Sequence, residues 1–204
     1  ATENLLPAAD LQIAREALRQ FKKQNLNIQL DCRVTGATAM NNGCEVVYIQ
    51  GEHELKLTVD KLVVAIGRQP NTDDLFDPAT GLTLDSRGFI EVDENCLTGE
   101  HNVWAIGDSV RGPMLAHKAS EEGVAVAEQI ATGQGHVDLN VIPWIIYTDP
   151  ELAWVGLTEA NLKQTERSYS KGLFPFAATG RAKAQGNTEG FVKILSDSAT
   201  DQIL

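Results

Sequence analysis

The chain reads as a mixed α/β and α+β protein. It holds two partial doubly wound α/β units, the first carrying a β-meander, followed by the start of an α+β domain. Three observations predict this. Two short continuous apolar runs, Leu62–Ile66 and Val103–Ile106, each close on glycine followed by a polar residue. Four short segments between Asn27 and Val59 are rich in β-branched or alternating apolar residues, with Asn-Gly or Gly-rich turns between them. After Val137 the texture changes to brief apolar stretches split by Thr148-Asp149-Pro150. Continuously apolar strands followed by helices suit sheets covered on both faces, whereas alternation suits a meander. The resulting domain boundaries are 1–67, 68–140 and 141–204.

Taken in order, Asp10 to Lys23 is the first predicted helix. Leu11, Ala14, Leu18 and Phe21 recur at steps of three and four and share a face. Asp10 can accept bonds from the unpaired amides of the first turn, and Asn25 is the predicted stop. Strands are expected at 27–30, 33–40, 44–50 and 54–59. Asn41-Asn42-Gly43 and Gly51-Glu52-His53 are the hairpin turns, where glycine and asparagine tolerate positive φ. Lys61–Ile66 is expected to be a strand buried on both faces, and Val103–Ile106 a second one. A helix is predicted from Pro113 to about Ala131, since proline is well tolerated in a first turn, with Gly133 and Gly135 ending it. A short helix over 158–163, capped by Thr158, precedes strands at 174–176 and 190–195.

Composition narrows the classes of function. Lys and Arg total 17 against 28 Asp and Glu, a formal net charge of −11. That balance argues against non-specific binding to nucleic acid or to an anionic membrane surface. No apolar run approaches the roughly 18 residues a membrane-spanning helix needs. The three cysteines, Cys32, Cys44 and Cys96, are spaced by 12 and 52 residues. Neither gap suits a zinc site or a CxxC pair, and all three read as structural in a reducing compartment. No metal site is expected.

Four motifs occur in order: Leu-Val-Val-Ala-Ile-Gly-Arg-Gln-Pro-Asn at 62–71, Val-Trp-Ala-Ile-Gly-Asp at 103–108, Met-Leu-Ala-His-Lys at 114–118, and the run from Ile142 to Glu159. Together they resemble the pyridine nucleotide-disulfide oxidoreductases over essentially the whole chain. Met114–His117 and the Phe174–Arg181 segment are similar to the dihydrolipoamide dehydrogenase branch in particular.

The resemblance implies Rossmann-like FAD- and NAD-binding units at 1–67 (NAD) and 68–140 (FAD), with 141–204 opening a dimerisation domain. It implies that Asp108 accepts a hydrogen bond from the ribitol of FAD. A carboxylate at a strand's C-terminal end suits that role, although on local sequence Asp108 reads as readily as a plain strand terminator. It implies that Met114, Leu115, Ala116 and His117 run beside the flavin, whose reduced form is anionic at the pyrimidine end and so favours a helix N-terminus. The alternative for His117 is a surface side chain in a first helical turn. Gly67 and Val34 match positions that touch NAD. Arg68 reads either as a phosphate ligand or as half of a salt bridge.

The implied activity is oxidation of protein-bound dihydrolipoamide by NAD⁺ through FAD and a redox disulfide. The implied partners are lipoyl domains of 2-oxo acid dehydrogenase or glycine cleavage complexes and a second copy of the chain, in bacterial cytoplasm or mitochondrial matrix. Several family features have no counterpart here: both G-x-G-x-x-G fingerprints, the C-x₄-C pair and the C-terminal His/Glu pair. The chain is therefore expected to be an inner piece of such an enzyme, inactive alone, with no catalytic residue of its own. The alternatives are another flavoprotein disulfide reductase, such as glutathione, mercuric or trypanothione reductase, or a non-catalytic nucleotide-binding module.

Overall fold

A computed structural model describes residues 3–204. The chain divides into two compact units, one formed by residues 1–64 with 145–204, the other by 65–144.

The first unit begins with helix α1 (Leu11–Lys23), capped as expected by Asp10, whose side chain accepts from the Gln12 amide. The helix stops at Gln24, and Asn25 takes a left-handed φ of 64°. Its buried stripe is Ala14, Ala17, Gln20 and Phe21, while Leu11 is exposed. Ala17 and Phe21 pack with Leu152, and Leu5, Leu6, Ile13, Ile28 and Ile146 close around them.

The antiparallel meander follows: β1 (Cys32–Met40), β2 (Gly43–Gln50) and β3 (His53–Val59). The hairpins fall where expected, but Met40 pairs with Gly43 and Gln50 with His53, so each turn contains two residues, and Gly43 and His53, expected in the spacers, open their strands. A β-bulge falls between Val34 and Gly36, which face Tyr48 and Val47.

The rest of this unit holds the paired strands β4 (Trp144–Ile146), which starts at its boundary, and β5 (Leu152–Trp154). Next come α3 (Glu159–Gln164), β6 (Tyr169–Pro175), α4 (Gly180–Gln185) and β7 (Phe191–Asp197). β6 and β7 pair antiparallel, with Leu173 opposite Lys193. Thr158 caps α3 in a reciprocal box with Asn161.

The second unit contains one long helix, α2 (Ala116–Thr132), and a series of turns over 72–111 around buried Ile90, Cys96 and Val110. Isolated bridges join Leu84 to Ile90 and Leu97 to Trp104. Gly133, at a left-handed φ of 74°, ends α2 as expected. The helix starts three residues later than Pro113, because Leu115 is extended.

The mixed α/β character is as the sequence predicts, but three predicted strands are not regular strands. Residues 27–30 are irregular. The Leu62–Ile66 run pairs with no strand among the described residues, and Val63 and Ile66 are 84% and 96% exposed. Val103–Ile106 makes only the single bridge at Trp104. A strand covered on both faces needs neighbours for its main-chain groups on two sides; among the described residues Leu62–Ile66 pairs with no strand, and Val103–Ile106 is bonded only to the 96–98 segment on one side.

Candidate functional site

Of the predicted cofactor residues, Gly67, Asp108 and Met114–His117 belong to the second unit, and Val34 belongs to the first. Val34 is an exposed residue at the β-bulge of the meander. Gly67 has φ 144°, and a Cβ added there would meet nothing within 4 Å. Its backbone is thus open to a close approach by a ligand.

Asp108 lies in the short 3₁₀ turn Gly107–Ser109, reached through a left-handed Gly107 at φ 78°. Arg68 donates to Asp108 Oδ2 at 2.9 Å, so Arg68 is half of a salt bridge. The carboxylate remains 44% exposed. A second group can therefore reach it.

The helix that follows has no side chain capping its first turn. Its opening amides have no partner within the helix, as at any helix start, and they gather a partial positive charge. His117 sits in that turn and donates through Nε2 to the Pro143 carbonyl at 2.6 Å. A positively polarised helix start and an accessible carboxylate suit a ligand with a carbonyl-rich or anionic end and a hydroxylated chain.

The arrangement is held from beneath by residues the sequence did not single out. Lys118 and Glu122 are both fully buried and 3.0 Å apart. Lys118 Nζ donates to the Gly107 carbonyl at 2.9 Å, and the Gly107 amide donates to Glu122 Oε2 at 2.8 Å. Arg111 approaches Glu122 Oε1 at 3.6 Å and lies 3.7 Å from the buried Cys96 Sγ. Burial pushes the Cys96 thiol up, against the opposing pull of Arg111. In sequence Lys118 and Glu122 look like an ordinary surface i,i+4 pair. The available signal was their register with buried Ala125, which puts 118, 122 and 125 on one stripe of α2.

The first unit has a polar cluster of its own. Lys193, 5% exposed, contacts Asp10 at 2.7 Å and Glu159 at 2.5 Å. Tyr169 donates to Glu159 at 2.9 Å and Lys171 approaches it at 3.1 Å. Lys193 above all, then Tyr169 and Lys171, holds the Glu159 carboxyl down to about 2 against its partial burial. Burial raises the Asp10 carboxyl, but bonds from Lys193 and from the amides of Glu159 and Gln12 outweigh it, and the net shift is downward. A groove of about 1360 Å³ lies beside this cluster, lined among others by Ile13, Tyr147, Trp154, Phe176 and Phe191. It contains none of the predicted site residues.

Cys32 and Cys44 cannot pair within the meander. Cys32 faces Gln50 and Cys44 faces Ala39, seven strand residues from Cys32, or about 23 Å of strand rise. A disulfide needs Cα atoms within about 7 Å. All three cysteines are free.

The Pyridine nucleotide-disulphide oxidoreductase family model matches residues 1–123, and the model of that family's dimerisation domain matches 142–204. The dihydrolipoyl dehydrogenase of Cupriavidus necator is 54% identical over 200 residues, covering 98% of this chain and 42% of that protein. The mitochondrial dihydrolipoyl dehydrogenase of Homo sapiens is 44% identical over 199 residues, covering 96% of this chain and 39% of that protein. This chain thus spans about two fifths of the length of these relatives. Among solved structures, the HOCl-induced flavoprotein disulfide reductase RclA of Escherichia coli superposes with a TM-score of 0.88 at 28% identity, covering all of this chain and 46% of that one. With one family model matching residues 1–123 and its companion matching 142–204, the chain belongs to the pyridine nucleotide-disulphide oxidoreductase family.

Proposed function

We propose that this chain serves a dihydrolipoamide dehydrogenase, contributing part of its FAD site, part of its NAD site and the opening of its dimer interface. The observation that carries this reading is the pairing of the accessible Asp108 carboxylate with the uncapped start of α2, both tied to Gly107. Identity to dihydrolipoyl dehydrogenases at 54% and 44%, against 28% to the RclA reductase, favours this branch over other disulfide reductases.

In this reading residues 1–67 belong to the NAD-binding domain, 68–140 to the FAD-binding domain and 141–204 to the dimerisation domain. FAD, when bound, supplies the passage of electrons between a dithiol and NAD⁺. The chain's own residues bind and orient. Asp108 accepts from a ribityl hydroxyl with the oxygen that Arg68 leaves free. The opening amides of α2, at Ala116 and His117 beside Met114 and Leu115, would hold the flavin and would stabilise negative charge developing on it. Gly67 offers bare backbone to NAD, and Val34 offers an apolar contact.

The homodimer is supported by apolar side chains left exposed on β6 and β7: Leu173, Phe174, Val192 and Ile194. The reducing partner is a dihydrolipoyl group carried on a lipoyl domain of a 2-oxo acid dehydrogenase or glycine cleavage complex, in bacterial cytoplasm or mitochondrial matrix.

Titrating the protein with FAD and following quenching of flavin fluorescence tests the reading. Weak binding that Asp108→Asn reduces further is expected, because one carboxylate and one helix start hold only part of the dinucleotide. Equal binding by the variant would remove Asp108 from the site. Dihydrolipoamide oxidation by the 204-residue chain is expected to be undetectable, since none of its three cysteines can form the redox pair.

A further inference from the structure

Gly107 is gripped at both of its main-chain polar groups by one buried ion pair. Its N–H donates to Glu122 Oε2 at 2.8 Å and its carbonyl accepts from Lys118 Nζ at 2.9 Å. The same carbonyl also accepts from the Val110 amide at 3.3 Å. The N–H belongs to the peptide plane entering Gly107, and the carbonyl to the plane leaving it toward Asp108. Fixing both planes fixes the backbone from which the Asp108 side chain projects.

Glycine at φ 78° has no side chain to lock this turn, so the orientation must come from outside it. Gly112, at φ 92°, leaves room for the Lys118 stem, since a Cβ there would come within 2.9 Å of Lys118 Cε. Burying two charges is costly, and an apolar pair of similar volume would often serve stability as well or better. What an apolar pair cannot supply is one donor and one acceptor aimed at a single residue.

We propose that Lys118 and Glu122 are positioning residues: the buried pair sets the direction of the Asp108 carboxylate toward a hydroxyl-bearing dinucleotide. The assignment rests on the reading of Asp108 as a cofactor ligand. Neither side chain touches the cofactor. Both act through the Gly107 backbone.

The test compares Asp108→Asn, Glu122→Gln and the double variant Lys118→Met/Glu122→Met in the intact FAD-binding protein. The readouts are thermal midpoint, FAD dissociation constant and the visible circular dichroism of bound flavin. In the double variant the relief of two buried charges offsets the unmet Gly107 bonds, so the thermal midpoint should move little while FAD binds about tenfold more weakly. Glu122→Gln keeps the volume and an acceptor for Gly107 but releases the Lys118 charge. It should weaken FAD binding by a smaller factor and alter the flavin dichroism. Should the double variant fail to fold, Glu122→Gln decides alone. Unchanged dissociation constant and dichroism in Glu122→Gln, with Asp108→Asn impaired, overturns the positioning role and leaves Asp108 standing. An unimpaired Asp108→Asn overturns the Asp108 reading and the positioning role with it.

Discussion

The guanidinium of Arg68 lies 2.9 Å from Asp108 Oδ2, bridging forty residues of sequence within the second unit. Both side chains are largely solvated, 70% and 44% exposed, so the pair adds only about 0–1 kcal/mol to stability. Its consequence lies in which carboxylate oxygen it leaves open.

Arg68→Met should therefore leave the unfolding midpoint nearly unchanged. It should weaken FAD binding about threefold at low salt, with the gap closing as ionic strength rises and screens the pair. Isothermal titration at two salt concentrations measures both effects. Equal affinity of variant and parent at low salt would show that Arg68 does not orient Asp108.

The Asp10–Lys193–Glu159 cluster should make the first unit sensitive to acid. Glu159 is held down to about 2 from an ordinary 4.5, so its charged form is favoured by folding. Its contribution is fully present above the unfolded value and is lost as pH falls from about 4.5 toward about 2. Asp10, also shifted downward, adds in the same direction. Urea unfolding followed by circular dichroism should show Glu159→Gln less stable than the parent at pH 7, with the difference shrinking at pH 3. A gap that stays constant between those pH values would contradict the linkage.

Lys193→Met strips the cation from two carboxylates that are mostly buried. Breaking a buried pair from one side costs about 3–5 kcal/mol, and the loss here falls mainly on Asp10, which keeps only amide donors while Glu159 retains Tyr169 and Lys171. The triple change Asp10→Asn/Lys193→Met/Glu159→Gln should recover much of that loss. A Lys193→Met cost below about 1 kcal/mol, the scale of an exposed pair, would mean the cluster is solvated in solution.

Thiol chemistry should separate the three cysteines. Cys96 is buried beside Arg111 with its thiol pushed up by burial, whereas Cys32 and Cys44 are half-buried. Thiolate is the reactive form, so Ellman's reagent should modify Cys32 and Cys44 well before Cys96. Complete reaction should account for three thiols under non-reducing conditions. A count of one would reveal a disulfide, which the meander register forbids between Cys32 and Cys44.

Much of the local structure was legible in the sequence. Asp10, Thr158 and Gly133 mark helix ends because capping uses groups within about four residues. The two hairpins follow from Asn- and Gly-rich turns between alternating runs. The order of the four motifs carried the family. Tertiary structure alone decided the rest. Leu62–Ile66 is apolar enough for a buried strand, but burial depends on partners elsewhere, and among the described residues none pairs with it. Lys118 and Glu122 carry the spacing of a surface pair, and only the packing of α2 against the Gly107 turn turns them inward. Lys193 meets Asp10 across 183 residues. Capping, turns and periodicity are short-range and written in neighbouring residues. The partner of a buried charge or strand edge is chosen by the folded chain.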